Sequence, residues 1–161
     1  MPVTMVSWFG ASAFASWWAA RTGQPWRLLD ELEWEKGARG VDGRIHPWGD
    51  SFDPSWCCMR DSHVKARLAS VHAFPDDVSV YGLRGMAGSV LDWTGSTYAT
   101  HGHAQDLEQN VVVENPDPSA RRVVRGGSWN DAASSTRCAT RYNLDPTMRL
   151  NFVGFRLARS V

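Results

Sequence analysis

RGGSWNDAASSTRCATRYNLDPTMRLNFVGFRLAR, residues 125–159, has regular ends and a middle that follows no period. Gly126 and Gly127 permit a turn that side chains would obstruct, and Pro146 fixes a bend. Gly154, Phe155 and Arg156 belong to an apolar run with strand character. Trp129 is expected as a core plug, while Arg137 and Arg141 carry enough donors to reach backbone carbonyls. Between these stand Asn130, Asp131, Ala133, Ser135, Thr140, Tyr142, Asn143, Leu144, Met148, Leu150, Asn151 and Phe152, polar, aliphatic and aromatic types in neither helical nor alternating order. Core packing does not ask for that mixture. Exposed Tyr142, Leu144, Leu150 and Phe152 beside adaptable Asn and Ser would suit a binding surface, with rigid anchors for contact area and small polar groups for hydrogen bonds.

Upstream, Trp8, Ala11, Ala15 and Trp18 recur at helical spacing beside Phe14 after a short β-prone run. Ser7 is placed to cap that helix, and Gly23 followed by Pro25 to stop it. Asp30 with Glu33 forms a capping box for a second, short helix ending near Gly37 or Gly40, and Leu29 can pack on Trp34 as a hydrophobic staple. From Val41 to Val80 there is no sustained period, so this stretch is expected to be mostly loop around plugs at Trp48, Phe52 and Trp56. Strands are expected at Val90 to Trp93, in RRVVRGGSW and in FVGFRLARSV. Two helices before several strands predict an α+β fold, with the helices to one side of an antiparallel sheet.

The chain of 161 residues reads as one domain, residues 1–161, large enough to bury a core. Its 17 basic and 17 acidic residues, with no basic block, offer no electrostatic reason to expect nucleic acid or an anionic membrane. No stretch approaches the roughly 18 consecutive apolar residues of a membrane span, and the start lacks signal-peptide features. Three cysteines, two of them adjacent at Cys57 and Cys58, do not form a disulfide framework, which favours a reducing, cytoplasmic setting. Nine tryptophans and fourteen glycines point to turns pinned by aromatic plugs rather than to a helical bundle.

The blocks PVTMVSW, WRLLDELEWEKGARG, HPWGDSFDPS, YGLRGMAGSVLDWT, VVRGGSW and GFRLAR occur in the order seen in the formylglycine-generating, sulfatase-modifying factor domain family, and the resemblance spans nearly the whole chain. It implies a variant of the C-type lectin fold. The strand region that members carry before the first block is missing, which leaves open a reduced domain or the C-terminal part of a longer chain. The family holds copper oxidases that convert a substrate cysteine to formylglycine, domains inside larger iron-bearing oxidases, and binding domains that include the variable proteins of diversity-generating retroelements.

Resemblance to the copper oxidases implies a cysteine pair, because a soft Cu(I) ion needs converging thiolates. The matching positions here are Asp131 and Thr136, and Cys138 falls on a structural position of the family. His101 and His103 could share one side of a strand as metal ligands, although a polar surface loop is the plainer reading and no third ligand stands at zinc spacing. Ser128 lacks the nucleophile-elbow context, and GLRGMAG lacks the strand and helix of a phosphate loop. The family's calcium loop is matched by GSVLDW, where Ser89 and Asp92 offer shorter or weaker ligands. No resident cofactor is expected, with calcium at Ser89 and Asp92 as the weak candidate.

The spacing of the fixed blocks from Trp129 to Arg156 is similar to the variable region of retroelement-diversified proteins. The resemblance therefore implies a diversified ligand-binding segment at residues 129–156, held by Gly126, Gly127, Trp129, Arg137, Arg141, Pro146, Gly154, Phe155 and Arg156. Its partner would be a protein or other macromolecule. An ordinary non-catalytic family module and a copper oxidase stand as alternatives.

Overall fold

The computed structural model describes residues 1–62, 67–100, 105–106, 111–112 and 117–160. Among them the elements run α1 (Trp8–Thr22), β1 (Trp26–Leu28), α2 (Glu31–Arg39), β2 (Leu91–Thr97), β3 (Gln105–Asp106), β4 (Val111–Val112), β5 (Arg122–Arg125), the 3-10 turn η1 (Ala133–Thr136), β6 (Arg141–Leu144), β7 (Val153–Phe155) and β8 (Leu157–Arg159).

Both helices begin where the capping residues place them. Ser7 accepts from the Gly10 N–H at 3.2 Å, and Gly23 ends α1 in the left-handed conformation. In α2, Glu33 N–H donates to Asp30 at 2.7 Å and the Glu33 carboxylate returns to the Asp30 N–H at 3.0 Å, completing the box. Ala11 and Ala15 are the α1 residues buried in the fold. Their small side chains let the helix lie close to β1, while Phe9, Phe14 and Trp17 remain exposed.

A four-stranded sheet in the order β6-β5-β2-β7 forms the centre, and β1 pairs antiparallel with β8 beside it. β5 runs antiparallel to both β2 and β6, whereas β7 lies parallel to β2, so the sheet is mixed. Alternation along the strands gives the sheet two different faces. Trp93 and Val124 pack with Ala11 of α1, Leu28, Leu91 and Val153. The neighbouring register row, Asp92, Arg125 and Arg141, meets α2. The helices therefore engage opposite faces, not the single face expected from their order in the chain.

Four strands escape sequence reading, β3 and β4 being only two residues each. β1 has three residues squeezed between Pro25 and the capping box. β6 lies inside the apparently irregular middle of the closing stretch; its Arg-Tyr-Asn-Leu does alternate, but four residues are too few to stand out. The long link from Val41 to Val90 contains only isolated bridges among the described residues, as its Gly, Pro, Asp and Ser content implies. One of these bridges, Cys58 to Gly88, ties that link to the start of the central sheet.

Candidate functional site

The closing segment is fastened by ions buried between α2 and the sheet. Arg141, at the start of β6, forms a two-point pair with Glu31 of α2 at 2.6 and 2.8 Å, and Glu31 is almost wholly buried. Arg125 is fully buried against Glu35 and lies over the Trp34 ring. Burial pulls the Arg125 guanidinium below its ordinary pKa, and Glu35 pushes it back up. Hydrogen bonding to Glu31 raises that of Arg141. Arg156 completes the layer: its Nε donates to Asp92 at 2.5 Å, and its other nitrogens donate to the carbonyls of Arg84 and Gly85. Arg141 thus spends its donors on a carboxylate and the Ala99 carbonyl, while Arg137 donates to the Ser134 carbonyl at 3.1 Å as expected of it.

The turns have equally firm physical causes. Gly127 sits at φ 73°, and a Cβ there would lie 2.8 Å from the Ser135 carbonyl oxygen. Gly154 packs against the backbone of Val3 with no room for a side chain. Pro146 is buried, and its carbonyl accepts from the Trp8 N–H at 3.0 Å, tying the bend to the first turn of α1.

This frame sorts the twelve candidate contact residues into groups. Asn130, Tyr142, Met148 and Asn151 are exposed. Asp131, Ala133, Thr140 and Asn143 are half-buried: Asp131 accepts from Ser128 Oγ at 2.7 Å, Thr140 donates to the Ser134 carbonyl, and Asn143 accepts from Arg121. Ser135 is buried, and its hydroxyl meets the Tyr142 hydroxyl at 2.6 Å. Leu144, Leu150 and Phe152 are not the exposed anchors expected from their types; each packs partly buried against the cluster around Trp93 and Val124. The apolar face of the sheet needs covering near its edges, and these three side chains supply it. Trp129 is also shallower than a core plug, half-buried with its Nε1 at 3.5 Å from the Asn151 carbonyl. Phe155 is likewise half-buried, its ring 5.6 Å from that of Phe14.

Cys57, Cys58 and Cys138 are all buried and free. Cys57 packs with Met59 and Ala87, whereas Cys138 packs with Leu29, Trp34, Ala38 and Met86, so they sit in different clusters. Burial pushes the thiols of Cys57 and Cys138 up to about 12, which disfavours the thiolate that a metal or nucleophile needs. Thr136 is buried and donates to the Ala133 carbonyl at 2.7 Å. Among the described residues no three His, Cys, Asp or Glu side chains converge on a metal position. His101 and His103 lie outside the described residues.

The calcium candidates do not fit a hard cation. Asp92 is buried, and its Oδ2 already accepts from Arg156 and, at 3.0 Å, from Trp34 Nε1. Arg84 and Arg156 line the same cavity, of about 230 Å³, as Asp92 and Ser89. Ser89 has φ 64° and a buried hydroxyl without a hydrogen-bond partner, a single neutral oxygen beside two cations. GLRGMAG follows a tight turn closed by the Ser79 N–H to the Leu83 carbonyl at 2.8 Å. Asp77 went unnoticed in the sequence: it is buried, accepts from the N–H groups of Met86 and Ala87, and burial raises its pKa to about 7.

Residues 1–161 match the family model of the Sulfatase-modifying factor enzyme 1-like domain. The chain is 35% identical over 175 residues to the inactive C-alpha-formylglycine-generating enzyme 2 of Mus musculus, covering 99% of this chain and 49% of that protein. It is 32% identical over 171 residues to the formylglycine-generating enzyme of Streptomyces coelicolor, covering 98% and 52%. The chain thus spans about half the length of these curated relatives. Two solved structures share the fold: PvdO from Pseudomonas aeruginosa, with TM-score 0.84, 22% identity and coverage of 100% of this chain and 62% of that one, and Treponema denticola variable protein 1, with TM-score 0.71, 20% identity and coverage of 98% and 70%.

Proposed function

Because the chain belongs to the sulfatase-modifying factor enzyme 1-like domain family, we propose that it is a non-catalytic member whose closing segment, residues 129–156, displays a surface for a protein or other macromolecular ligand. The observation that carries this reading is the division of labour inside the segment. Arg141 and Arg156 are locked to carboxylates of the fold, whereas Asn130, Tyr142, Met148 and Asn151 project outward from that frame. A rigid frame carrying outward side chains suits a binding surface because the backbone that presents them loses little freedom on association. The positions that would hold a copper-binding thiol pair are Asp131 and Thr136, and neither can supply a thiolate.

We infer further that the segment is of the retroelement-diversified kind, a reading supported by its spacing and by the likeness in fold to a variable protein. The DNA downstream of the coding sequence tests this directly. A near-copy of the codons for Trp129 to Phe155, differing only at adenines and lying beside a reverse transcriptase, is the expected finding. Its absence returns the chain to an ordinary binding module of the family. Copper titration tests the competing oxidase: stoichiometric thiolate binding would overturn the non-catalytic reading.

A further inference from the structure

The aromatic residues of the long link are only partly plugs: Trp48 packs against the cluster of Cys57, Met59 and Ala87 but is not fully buried. His46 is buried and stacks on Trp48 with ring centroids 5.2 Å apart and planes 4° from parallel. Trp48 in turn meets Trp56 almost at right angles, 81°, with centroids 5.9 Å apart. Both tryptophans are half-buried, so part of each ring meets solvent. An edge-to-face pair leaves at least one ring face uncovered by its partner, so the pair makes a corner with π density to offer.

That corner opens into a cavity of about 350 Å³ lined by Trp48, Gly49, Asp50, Ser51, Trp56 and Asp76. The volume lies at the small end of the roughly 300–1,000 Å³ range of ligand pockets. Among the described residues, the charged groups in its wall are two carboxylates from separate parts of the chain. Neither Asp50 nor Asp76 forms an ion pair with a described residue, and the nearby Arg44 is taken by Asp42 at 2.5 Å. Trp48 is held in place by Nε1 donating to the Ser51 carbonyl at 2.9 Å, and Asp50 by accepting from the Ile45 N–H at 2.9 Å. Behind them, burial lowers the pKa of His46 and favours a neutral imidazole, which adds no positive charge to the back of the cluster. Aromatic faces attract cations through the ring quadrupole, and carboxylates at the rim add to that attraction.

We propose that the Trp48–Trp56 corner, with Asp50 and Asp76, is a binding site for an organic cation of the ammonium or methylammonium type. The groove lies outside residues 129–156, so it stands whether or not those residues are diversified. The cation can come from a free small molecule or from a methylated lysine on a protein, and the chemistry of recognition is the same. A primary ammonium is more strongly hydrated, so trimethylated groups are the better fit to two rings.

The test uses the whole domain in calorimetric and ligand-observed NMR titrations. Choline is compared with its uncharged analogue 3,3-dimethyl-1-butanol, and a trimethyllysine peptide with its norleucine counterpart. The cationic member of at least one pair is expected to bind more tightly than the neutral one, with the effect falling in Trp56→Leu and partly retained in Trp56→Phe. Asp76→Asn, an exposed substitution that leaves the fold intact, should weaken cation binding by about two- to tenfold and flatten its salt dependence. Response to choline identifies the free-molecule source, and response only to the peptide identifies the protein source. Equal binding of the neutral analogues, no binding of either cation, or affinity unchanged in both Trp56→Leu and Asp76→Asn would overturn the proposal. None of these results bears on the downstream DNA, so the two readings fail separately.

Discussion

Replacing Arg156 by methionine tests whether the end of the chain is fastened by charge. The substitution keeps most of the aliphatic volume but removes three bonds: the donation to Asp92 at 2.5 Å and those to the carbonyls of Arg84 and Gly85 at 3.3 and 2.8 Å. Asp92 is then left buried with the neutral Trp34 Nε1 still donating to it. Breaking a buried pair from one side costs about 3–5 kcal/mol. At roughly 2–4 °C per kcal/mol for a domain of this size, the melting temperature should fall by about 6–20 °C. Asp92→Leu combined with Arg156→Met removes both charges and should recover most of that loss, because no ion is stranded. Urea denaturation of the wild type, each single variant and the double variant gives the coupling energy. A double variant as unstable as the sum of the singles would refute the pairing. Calcium enters the same experiment: with Asp92 committed to Arg156, neither added calcium nor a chelator should move the wild-type melting curve. A calcium-dependent rise would show that Asp92 serves a metal instead.

Four other outcomes are expected. Phe152→Ala should cost about 1.5–2.5 kcal/mol, near half the ~3–5 kcal/mol of a full core truncation, whereas Met148→Ala should leave the melting temperature within about 2 °C and act only on binding. Gly127→Ala should destabilise by more than about 1 kcal/mol through its left-handed backbone and the crowded Ser135 carbonyl, seen as a lower urea midpoint. Asp77 gives a pH signature: its folded pKa of about 7 is above its ordinary 3.8, so its contribution is fully present below pH 3.8 and is lost as pH rises through 7. Asp77→Asn keeps an acceptor for Met86 and Ala87, and its stability relative to wild type should rise across that window; parallel pH profiles would refute the assignment. Finally, the three thiols should resist Ellman's reagent in the folded protein and react once it is unfolded; rapid native reaction at Cys57 or Cys138 would contradict their burial.

Local chemistry made both helices legible from sequence. The Ser7 cap, the Asp30–Glu33 box and the Gly23 stop are short-range hydrogen-bonding instructions, and each operates in the fold as written. The ordered blocks likewise announced the family and its α+β architecture. Tertiary structure alone decided three other matters. β1 and β6 exist because β8 and β5 offer edges, and no period in three or four residues reveals such a partner. Leu144, Leu150 and Phe152 face inward because the sheet edge beside Trp93 needs apolar cover, so residue type alone placed them on the wrong side. Trp48 and Trp56, expected as plugs, stand half-exposed beside two carboxylates because the loop carrying them closes on its own backbone, through Trp48 to Ser51 and Asp50 to Ile45. The sequence by itself determined the helix ends and the turns, which depend on groups a few residues apart, and the family, which the order of its blocks carries. Which side chains meet solvent, and which charges meet each other across 64 to 110 residues of chain, was decided by the packing of the sheet between its two helices.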